Sequence, residues 1–297
     1  MPDDGSGLAG RTAFVSGAGG FIGAAVVRAL VSRGAGVRAL AGAPGQTTFE
    51  LPAEVEPVFA DIQDQDTLTR LAAGASIAIH LAGPPSVAGS FQAPLEYGRV
   101  HTGGTLAMLE ACRSARIRRF VYLSSAEVYG CSEAEAVAED HPLRPRSPYG
   151  ASKAAAEQFV DAYAGGFGME SVVLRPFSVY GPRMPPHSVT ATILRQALWE
   201  GEIVLGDLAS VRDYCYIDDV VEGVLRAAGV PGLVHARFNL GTGVGTSVGE
   251  VACLAMRLAG RELPVRSDPS RCRPAHIDIR RLVADGTAAA EQLGWRP

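Results

Sequence analysis

Tyr149 and Lys153 are the residues whose types and spacing point most directly to chemistry. Lys153 is the only lysine among 27 Lys and Arg residues, so the chain uses Arg wherever a plain positive charge is enough. A lysine ammonium is compact, and its pKa shifts more readily than that of a guanidinium. Residues four apart share one face of a helix, so the Lys153 ammonium would lie beside the Tyr149 phenol. This phenol must ionise if it is to act as a base. The alternative is that a GC-rich genome removed the other lysine codons and left one by chance.

A glycine-rich string follows the first predicted strand and opens the first predicted helix, with Gly17, Gly20 and Gly23 at intervals of three. Gly17 permits a tight turn, Gly20 lets the backbone approach a pyrophosphate, and Gly23 lets the helix pack closely on the sheet. The helix N-terminus then faces the anion. The spacing differs from G-x-G-x-x-G, although Gly19 nearly supplies that pattern as well. The string predicts a phosphate loop for a dinucleotide.

The order of elements predicts an α/β fold with a doubly wound parallel sheet. Apolar β-branched runs alternate with helical patterns, and several strands are apolar throughout, as expected when helices cover both faces. The predicted strands span residues 12–16, 37–40, 57–60, 76–81, 120–124 and 172–175. The predicted helices between them span residues 22–32, 65–73, 95–115 and 151–165.

The pattern changes after Pro176, where we expect a smaller mixed α/β lobe that binds substrate. Helices are predicted at 189–200, 220–228 and 248–258, and a strand at 238–240 is expected to return to the main sheet. We therefore assign 1–176 plus 212–240 to a dinucleotide-binding Rossmann domain and 177–211 plus 241–297 to the lobe. The polar, Pro-containing loops 132–148 and 266–277 are candidates for mobile segments that cover the site.

Composition and charge exclude several classes of protein. A chain of 297 residues that is 47% hydrophobic can bury a large core. The net charge of −4 with no basic run argues against nucleic acid or membrane as a partner, although backbone phosphate sites leave no trace in charge. No signal peptide or membrane-spanning run is apparent, so we expect a cytoplasmic protein. The five cysteines and six histidines lack metal-ligand spacing, so no metal is expected.

The choice between NAD and NADP stays open at this stage. The second predicted strand ends without a carboxylate for the adenosine ribose and without an adjacent Arg for a 2′-phosphate. Arg38 lies near this end, which makes NADP at least as plausible as NAD. Asp61 and Ile62 suit an adenine contact, the carboxylate accepting from the amine and the Ile packing on the ring. Asp61 could equally cap a helix that begins near Asp64.

Taken with a third motif, Ser124 to Gly130 at the end of the fifth predicted strand, these features resemble a known family. The family is that of the NAD-dependent nucleotide-sugar epimerases and dehydratases, which are extended short-chain dehydrogenase/reductases. The resemblance covers nearly the whole chain. Further matching motifs lie at residues 80–83, 174–183, 212–214, 218–220, 239–243 and 293–295.

The resemblance implies a hydride transfer at C4 of a sugar, with Ser125, Tyr149 and Lys153 as catalytic residues. A free phenol with a pKa of about 10 is a weak base at neutral pH. Lys153 and a positively charged nicotinamide are expected to lower the pKa of Tyr149 by stabilising its phenolate. Ser125 would hydrogen-bond the same substrate oxygen, and Lys153 would also hold the nicotinamide ribose.

The resemblance also implies which residues bind each ligand. Cofactor binding is expected at Gly17, Gly20, Phe21, Ile22, Gly23, Asp61, Ile62, Leu81, Ala82, Gly83, His101, Tyr149, Lys153 and Pro176. Substrate binding is expected at Ser86, Ser125, Ala126, Glu127, Ser178 and Arg212. Arg212 would pair the diphosphate of a nucleotide sugar, and the alternative is a structural ion pair with Asp213 or Asp218. A homodimer is expected through the helices at 95–115 and 151–165.

Several positions depart from the family's pattern. His101 and Ser178 stand where the family usually has Asn, and His276 replaces a customary Asp. Ala126 replaces the acid of members that dehydrate sugars, which argues against a 4,6-dehydratase, although Glu127 could still act as a base or sugar contact. The leading hypothesis is a nucleotide-sugar 4-epimerase. The alternatives are a dTDP-4-keto-deoxysugar 4-ketoreductase, an enzyme of a non-nucleotide natural product, and a catalytically inactive dinucleotide sensor.

Overall fold

A parallel sheet with helices on both faces forms the larger part of the molecule. The structure is a computed structural model, and it describes residues 7–43, 46, 49–132, 134–272 and 277–297. Within these residues the sheet has seven strands in the order β10-β6-β5-β4-β1-β2-β3, all paired in parallel. The strands of the chain are β1 (Thr12–Ser16), β2 (Gly36–Gly42), β3 (Pro57–Phe59), β4 (Ile77–His80), β5 (Arg119–Leu123), β6 (Glu170–Pro176), β7 (Ser178–Tyr180), β8 (Ile203–Leu205), β9 (Val211–Tyr216), β10 (Ala236–Leu240), β11 (Gly245–Ser247), β12 (Val265–Ser267) and β13 (Arg281–Leu282).

The strand order reverses between β1 and β4, which sets the place of the binding crevice. In open α/β sheets a ligand binds outside the carboxyl ends of the strands at such a switch point. The segments after β1, β4 and β5, which begin at Gly17, Leu81 and Ser124, therefore meet at one edge. The predicted fold class and all six predicted sheet strands of the first domain are confirmed.

Helices cover both faces of this sheet. On one face Leu30 and Val224 are fully buried, and on the other Leu68, Leu109 and Val160 are fully buried. The helices are α1 (Phe21–Ser32), α2 (Gln65–Ala72), α3 (Val87–Gln92), α4 (Pro94–Tyr97), α5 (Gly104–Ser114), α6 (Pro148–Phe167), α7 (Val189–Trp199), α8 (Ile217–Gly229), α9 (Val248–Ala259) and α10 (Thr287–Gln292).

The helical stretch predicted over 95–115 is confirmed, but it contains a π-helical turn. α4 begins at Pro94, the π-helical turn spans Gly98–Gly103, and α5 continues directly from Gly104. Glycine has a low helix propensity and tolerates a change in backbone winding, and a π-helical turn often occurs at a functional site. The turn carries His101, which is buried.

The helix that carries Tyr149 and Lys153 is longer than predicted at both ends. The Ser147 hydroxyl caps α6 by accepting from Gly150 N at 3.0 Å, and Pro148 occupies the first turn, where its missing N–H costs nothing. The helix ends at Gly168, whose φ of 67° is left-handed and is accessible to glycine without strain. The cap fixes the start of the helix next to Tyr149.

The smaller lobe has its own sheets. In the described residues β9 pairs with β7, β11 and β13, and β8 pairs with β12, with α7 and α9 packed beside them. β10 pairs in parallel with β6, so the predicted return of 238–240 to the main sheet is confirmed. β9 belongs to the small sheet, so the boundary predicted at residue 212 is too early by one strand. The remaining domain boundaries stay a prediction.

The two loops predicted to cover the site differ in position. The segment after residue 133 packs below the sheet edge, where Val137 N donates to Val283 O at 2.8 Å and Glu139 accepts from Asn239 N at 2.7 Å. Arg271 and Cys272 of the second loop do line the active-site cavity. His276, singled out above, lies outside the described residues.

The homodimer expected through α5 and α6 stays a prediction. The two helices pack against each other, and Phe159 and Phe167 of α6 are 37% and 59% exposed. In the described part of the chain, none of the helices has the length and apolar character that crossing a membrane requires.

Candidate active site

The glycine string folds into a loop that has no room for side chains. A Cβ on Gly23 would lie 1.9 Å from Gly17 O, and a Cβ on Gly17, whose φ is 71°, would lie 2.7 Å from Ala82 N. Gly20 precedes α1 in an extended conformation, and no described side chain caps that helix. The first-turn amides of α1 are therefore available to a phosphate.

Replacing Gly23 with Ala should remove dinucleotide binding, because the new methyl collides with the backbone of the phosphate loop. We expect the purified variant to hold no measurable cofactor by mass spectrometry and to unfold at a lower temperature. Gly166→Ala is the matched control, since a Cβ there meets nothing within 4 Å. It should retain cofactor and gain about 0.5–1 kcal/mol from helix propensity. Normal cofactor content in Gly23→Ala would contradict the assignment of the loop.

Tyr149, Lys153 and Ser125 come together in one cavity of about 780 Å³. Ser125 follows β5 and Tyr149 lies in the first turn of α6, and both side chains line this cavity. Lys153 is buried, donates from Nζ to Leu123 O at 2.8 Å, and lies 5.0 Å above the ring centroid of Tyr122. The structure thus places the three predicted catalytic residues in one site.

Burial shifts the pKa values of the two central groups in opposite directions. It raises the pKa of Tyr149 to about 12, against the lowering effect of the nearby Ser125 hydroxyl. It lowers the pKa of Lys153 to about 7, against the raising effect of Glu157. The expectation that Lys153 and a positively charged nicotinamide together lower the pKa of Tyr149 stays a prediction. The ammonium is held by the Leu123 carbonyl, and its own charged form is disfavoured by burial.

A buried ion pair between Glu157 and Arg175 connects the elements that carry this site. Arg175 Nη2 and Nε donate to the Glu157 carboxylate at 2.6 and 3.0 Å, and Ser124 Oγ donates to the same carboxylate. Arg175 Nη1 donates to Tyr129 Oη at 2.8 Å. The carboxylate therefore joins α6 to the ends of β5 and β6 and places a negative charge one helical turn after Lys153.

His101 packs against the catalytic tyrosine. Its ring lies edge-on to Tyr149 with centroids 5.3 Å apart, and Nδ1 is 2.8 Å from Ser152 Oγ. Ser152 Oγ donates to Tyr149 O, so the histidine Nδ1 carries the proton that Ser152 accepts. Burial lowers the pKa of His101 to about 2, and the ring is neutral. A Cβ on Gly83 would lie 2.3 Å from this ring, so glycine is required there.

The predicted substrate residues line the same cavity. Ser86, Glu127, Ser178 and Arg212 all contribute to its wall, and the buried Ala126 borders a smaller pocket beside it. Ser86 also caps α3 by accepting from Gly89 N at 2.9 Å.

The alternative of an ion pair between Arg212 and Asp213 is wrong. Successive residues of β9 point to opposite faces, and the Asp213 carboxylate accepts from the backbone amides of Thr242, Gly243 and Ala284 at 2.8, 2.8 and 3.1 Å. Asp213 therefore fixes the turn before β11, while the Arg212 side chain reaches the cavity.

Comparisons with known proteins agree with this geometry. Residues 13–241 match the model of the NAD dependent epimerase/dehydratase family. The chain belongs to that family. A UDP-glucose 4-epimerase of Mycolicibacterium smegmatis is 38% identical in an alignment of 295 positions that covers 95% of this chain and 92% of the relative. The present chain is thus an NAD-dependent sugar epimerase or oxidoreductase of the extended short-chain dehydrogenase/reductase type. The hypothesis of a catalytically inactive sensor lacks support.

Two solved structures of this family are closely similar. MoeE5 in complex with UDP-glucose and NAD has a TM-score of 0.86 and 31% identity, over 96% of this chain and 93% of that chain. The UDP-glucose 4-epimerase of Thermotoga maritima with UDP-glucose has a TM-score of 0.87 and 30% identity, over 96% and 92% of the two chains.

The family's dinucleotide fits the residues present. The glycine loop leaves the backbone of α1 open to a pyrophosphate, as shown above. Beyond it, the cavity wall is apolar at Phe21, Ile22, Leu81 and Pro176 and ends at Lys153. This arrangement offers an apolar bed for a nicotinamide ring and a cation for its ribose, while Ala82 supports the loop from beneath Gly17.

The adenine end shows which residue caps α2. Asp61 accepts from Arg99 Nη1 at 3.0 Å and from Gln63 N at 2.9 Å, and the cap of α2 is Asp64. Ile62 is 7% exposed and packs where a Cβ on Gly104 would stand. The adenine contacts of Asp61 and Ile62 stay predictions.

Arg38 is directed away from the cofactor edge. Its Nη1 donates to Leu71 O at 3.2 Å near the end of α2. The argument for NADP that rested on this side chain therefore fails.

Sequence reasoning missed Glu157, Arg175 and Tyr214. Arg175 lies inside a motif that was recognised, and Glu157 lies four residues after Lys153 on the same helical face. That spacing was the available signal for a charge acting on Lys153. Tyr214 also lies inside a recognised motif, and its position two residues after Arg212 on a strand was the available signal that both side chains face the cavity.

Proposed function

We propose that this enzyme interconverts UDP-glucose and UDP-galactose as a 4-epimerase with NAD as its cofactor. The observation that carries the proposal is the convergence of Ser125, Tyr149 and Lys153 with Arg212 on one cavity. The first three residues serve proton transfer at a carbinol, and a guanidinium suits a diphosphate. The UDP-glucose 4-epimerases among the relatives support the sugar and the nucleotide.

The protein's own residues handle the proton at the sugar C4 hydroxyl. Tyr149 Oη would take that proton and return it, and Ser125 Oγ, which lines the same cavity, would hold the same sugar oxygen. When bound, NAD accepts a hydride from C4 and gives it back. Because burial alone raises the pKa of Tyr149, its phenolate needs positive charge nearby. Lys153 is the lysine placed to supply that charge within the cavity.

The absence of an acid at position 126 supports epimerisation over dehydration. Elimination of water from the sugar requires a proton donor for the leaving hydroxyl. Ala126 is buried between Ser125 and Glu127 and has no proton to give. Glu127 then lines the cavity as a sugar contact rather than as half of an acid and base pair.

NAD is favoured over NADP by the position of Arg38. A 2′-phosphate calls for a nearby cation, and the guanidinium of Arg38 is engaged by the Leu71 carbonyl. The similar MoeE5 structure holds NAD together with UDP-glucose.

The function is tested by supplying the purified enzyme with UDP-glucose and no added cofactor. We expect UDP-galactose to form by chromatography while the amount of reduced nicotinamide stays constant. Consumption of one NADPH for each 4-keto sugar would instead identify a ketoreductase. UDP binding is measured by calorimetry for the wild type and for Arg212→Ala, which is expected to lose it. Absence of UDP binding by the wild type would indicate a non-nucleotide substrate.

A further inference from the structure

The ring of Tyr122 lies beneath the ammonium of Lys153. Lys153 Nζ is 5.0 Å from the centroid of this ring, inside the distance at which an aromatic face attracts a cation. Lys153 is 5% exposed and Tyr122 is 1% exposed, so water screens the contact little. A cation–π contact is strongest in such desolvated surroundings.

The polar partners of Lys153 compensate only in part for its burial. Its Nζ donates to Leu123 O at 2.8 Å, and Glu157 raises its pKa. The Glu157 carboxylate, however, accepts from Arg175 Nη2 and Nε at 2.6 and 3.0 Å, so its charge is shared with a second buried cation. Burial still lowers the pKa of Lys153 to about 7. The electron-rich face of Tyr122 is therefore a further source of stabilisation for the ammonium.

The other groups with shifted pKa values near Lys153 are neutral at physiological pH. Burial lowers the pKa of His80 in β4 to about 3 and that of His101 in the π-helical turn to about 2. Burial raises the pKa of Tyr149 to about 12, and the Glu127 carboxylate acts in the same direction. Of these side chains with shifted pKa values, Lys153 alone titrates between about pH 6 and 9.

We propose that Tyr122 is a positioning residue whose ring keeps Lys153 charged and in place for the reaction. Tyr122 is not part of the cavity wall, so it acts through the lysine and not on a ligand. The ring holds the ammonium where it stabilises the phenolate of Tyr149. The kinetic consequence rests on the proposed function, whereas the charge of Lys153 is measured without any turnover.

The titration of Lys153 tests the proposal directly, because the chain has no other lysine. Isotopic labelling of the lysine Cε therefore gives a single NMR signal whose position follows the charge of Lys153. In Tyr122→Leu we expect the midpoint of this titration to move to lower pH by about one pH unit, the shift that corresponds to losing a buried cation–π contact. A wild-type midpoint in this variant would overturn the proposal.

Phe120→Leu is the matched control for the loss of a buried ring. Phe120 lies two residues before Tyr122 on β5, so the two side chains share a face, and both are buried. Phe120→Leu should lower the melting temperature as Tyr122→Leu does, and it should leave the titration of Lys153 unchanged. An equal shift in both variants would show a general effect of a cavity in this core and would also overturn the proposal.

Two variants that keep the shape of the ring decide the matter if Tyr122→Leu does not fold. Tyr122→Phe removes only the hydroxyl, which has no hydrogen-bond partner among the described residues, and it should titrate like the wild type. Trifluorophenylalanine at this position keeps the ring and withdraws electron density from its face. The midpoint should then lie at lower pH than in Tyr122→Phe, and identical titrations of these two variants would overturn the proposal.

The pH dependence of kcat/KM for UDP-glucose tests the consequence for the reaction. Lys153 is cationic below its pKa, so the alkaline fall in kcat/KM should move to lower pH in Tyr122→Leu and stay in place in Phe120→Leu. A shifted titration with an unshifted alkaline fall would overturn the role of Tyr122 in the reaction. If the wild type turns over no UDP-glucose, the proposed function fails, and the titration still decides whether the ring keeps Lys153 charged.

Discussion

Replacing Tyr149 with Phe should lower kcat by about 10²–10⁴-fold, the range for losing a positioned acid and base. The ring stays in place, so its edge-on packing with His101 and Tyr97 is kept. We therefore expect an unchanged melting temperature and a full complement of bound cofactor. Turnover is measured as UDP-galactose formed from UDP-glucose, and cofactor content by mass spectrometry.

A second tyrosine on the same helix provides the control for this variant. Tyr163 lies fourteen residues after Tyr149 on α6, and its hydroxyl donates to Glu110 outside the cavity. Tyr163→Phe should turn over at the wild-type rate. Undiminished turnover in Tyr149→Phe would show that the proton moves through some other group.

Replacing Glu157 with Ala should destabilise the protein by about 3–5 kcal/mol, the usual cost of breaking a buried ion pair from one side. Arg175 and Glu157 are 2% and 1% exposed, so the guanidinium would remain buried without its counter-charge. Ser124 Oγ would lose its acceptor as well. The loss is measured as the free energy of unfolding in denaturant.

The control for stability is an exposed ion pair. Glu202 pairs with Arg266 at 2.9 Å on the surface, where solvent screens the charges. Glu202→Ala should leave the free energy of unfolding almost unchanged. An equally small effect in Glu157→Ala would mean that the buried pair does not hold α6 to β6.

The milder Glu157→Gln change separates a role in positioning Lys153 from a role in folding alone. Glu157 raises the pKa of Lys153, which burial lowers to about 7. Lys153 is cationic below its pKa, so loss of the carboxylate should move the alkaline fall in kcat/KM to lower pH. A purely structural glutamate would change the melting temperature and leave the pH profile where it was.

The fold could be predicted from the sequence wherever a local pattern determines it. β1 and α2 follow from an apolar run and a capped helical period, and the structure reproduces them within one residue. The π-helical turn at His101 was not predicted, because the sequence there has the pattern of a continuous α-helix. β9 was placed in the wrong domain because its pairing with β7, β11 and β13 is non-local.

The sequence allowed the residues of the candidate site to be identified, but it did not allow their pKa values to be predicted. Tyr149 and Lys153 were identifiable by spacing, and the loop from Gly17 by its place between strand and helix. The pKa values of these two groups depend chiefly on burial, and that of Lys153 also on Glu157, which only the packed structure brings together. Arg38 was misjudged for the same reason, because proximity in sequence did not determine the direction of its side chain.

The fate of the hydrogen on C4 tests the central claim most directly. UDP-glucose carrying deuterium on C4 is incubated with the purified enzyme, and the product is analysed by NMR and mass spectrometry. The account predicts UDP-galactose that retains the deuterium on C4, because a hydride does not exchange with solvent and the same one would return to C4. Product that has exchanged C4 with solvent, or an enzyme that forms no UDP-galactose, would contradict it.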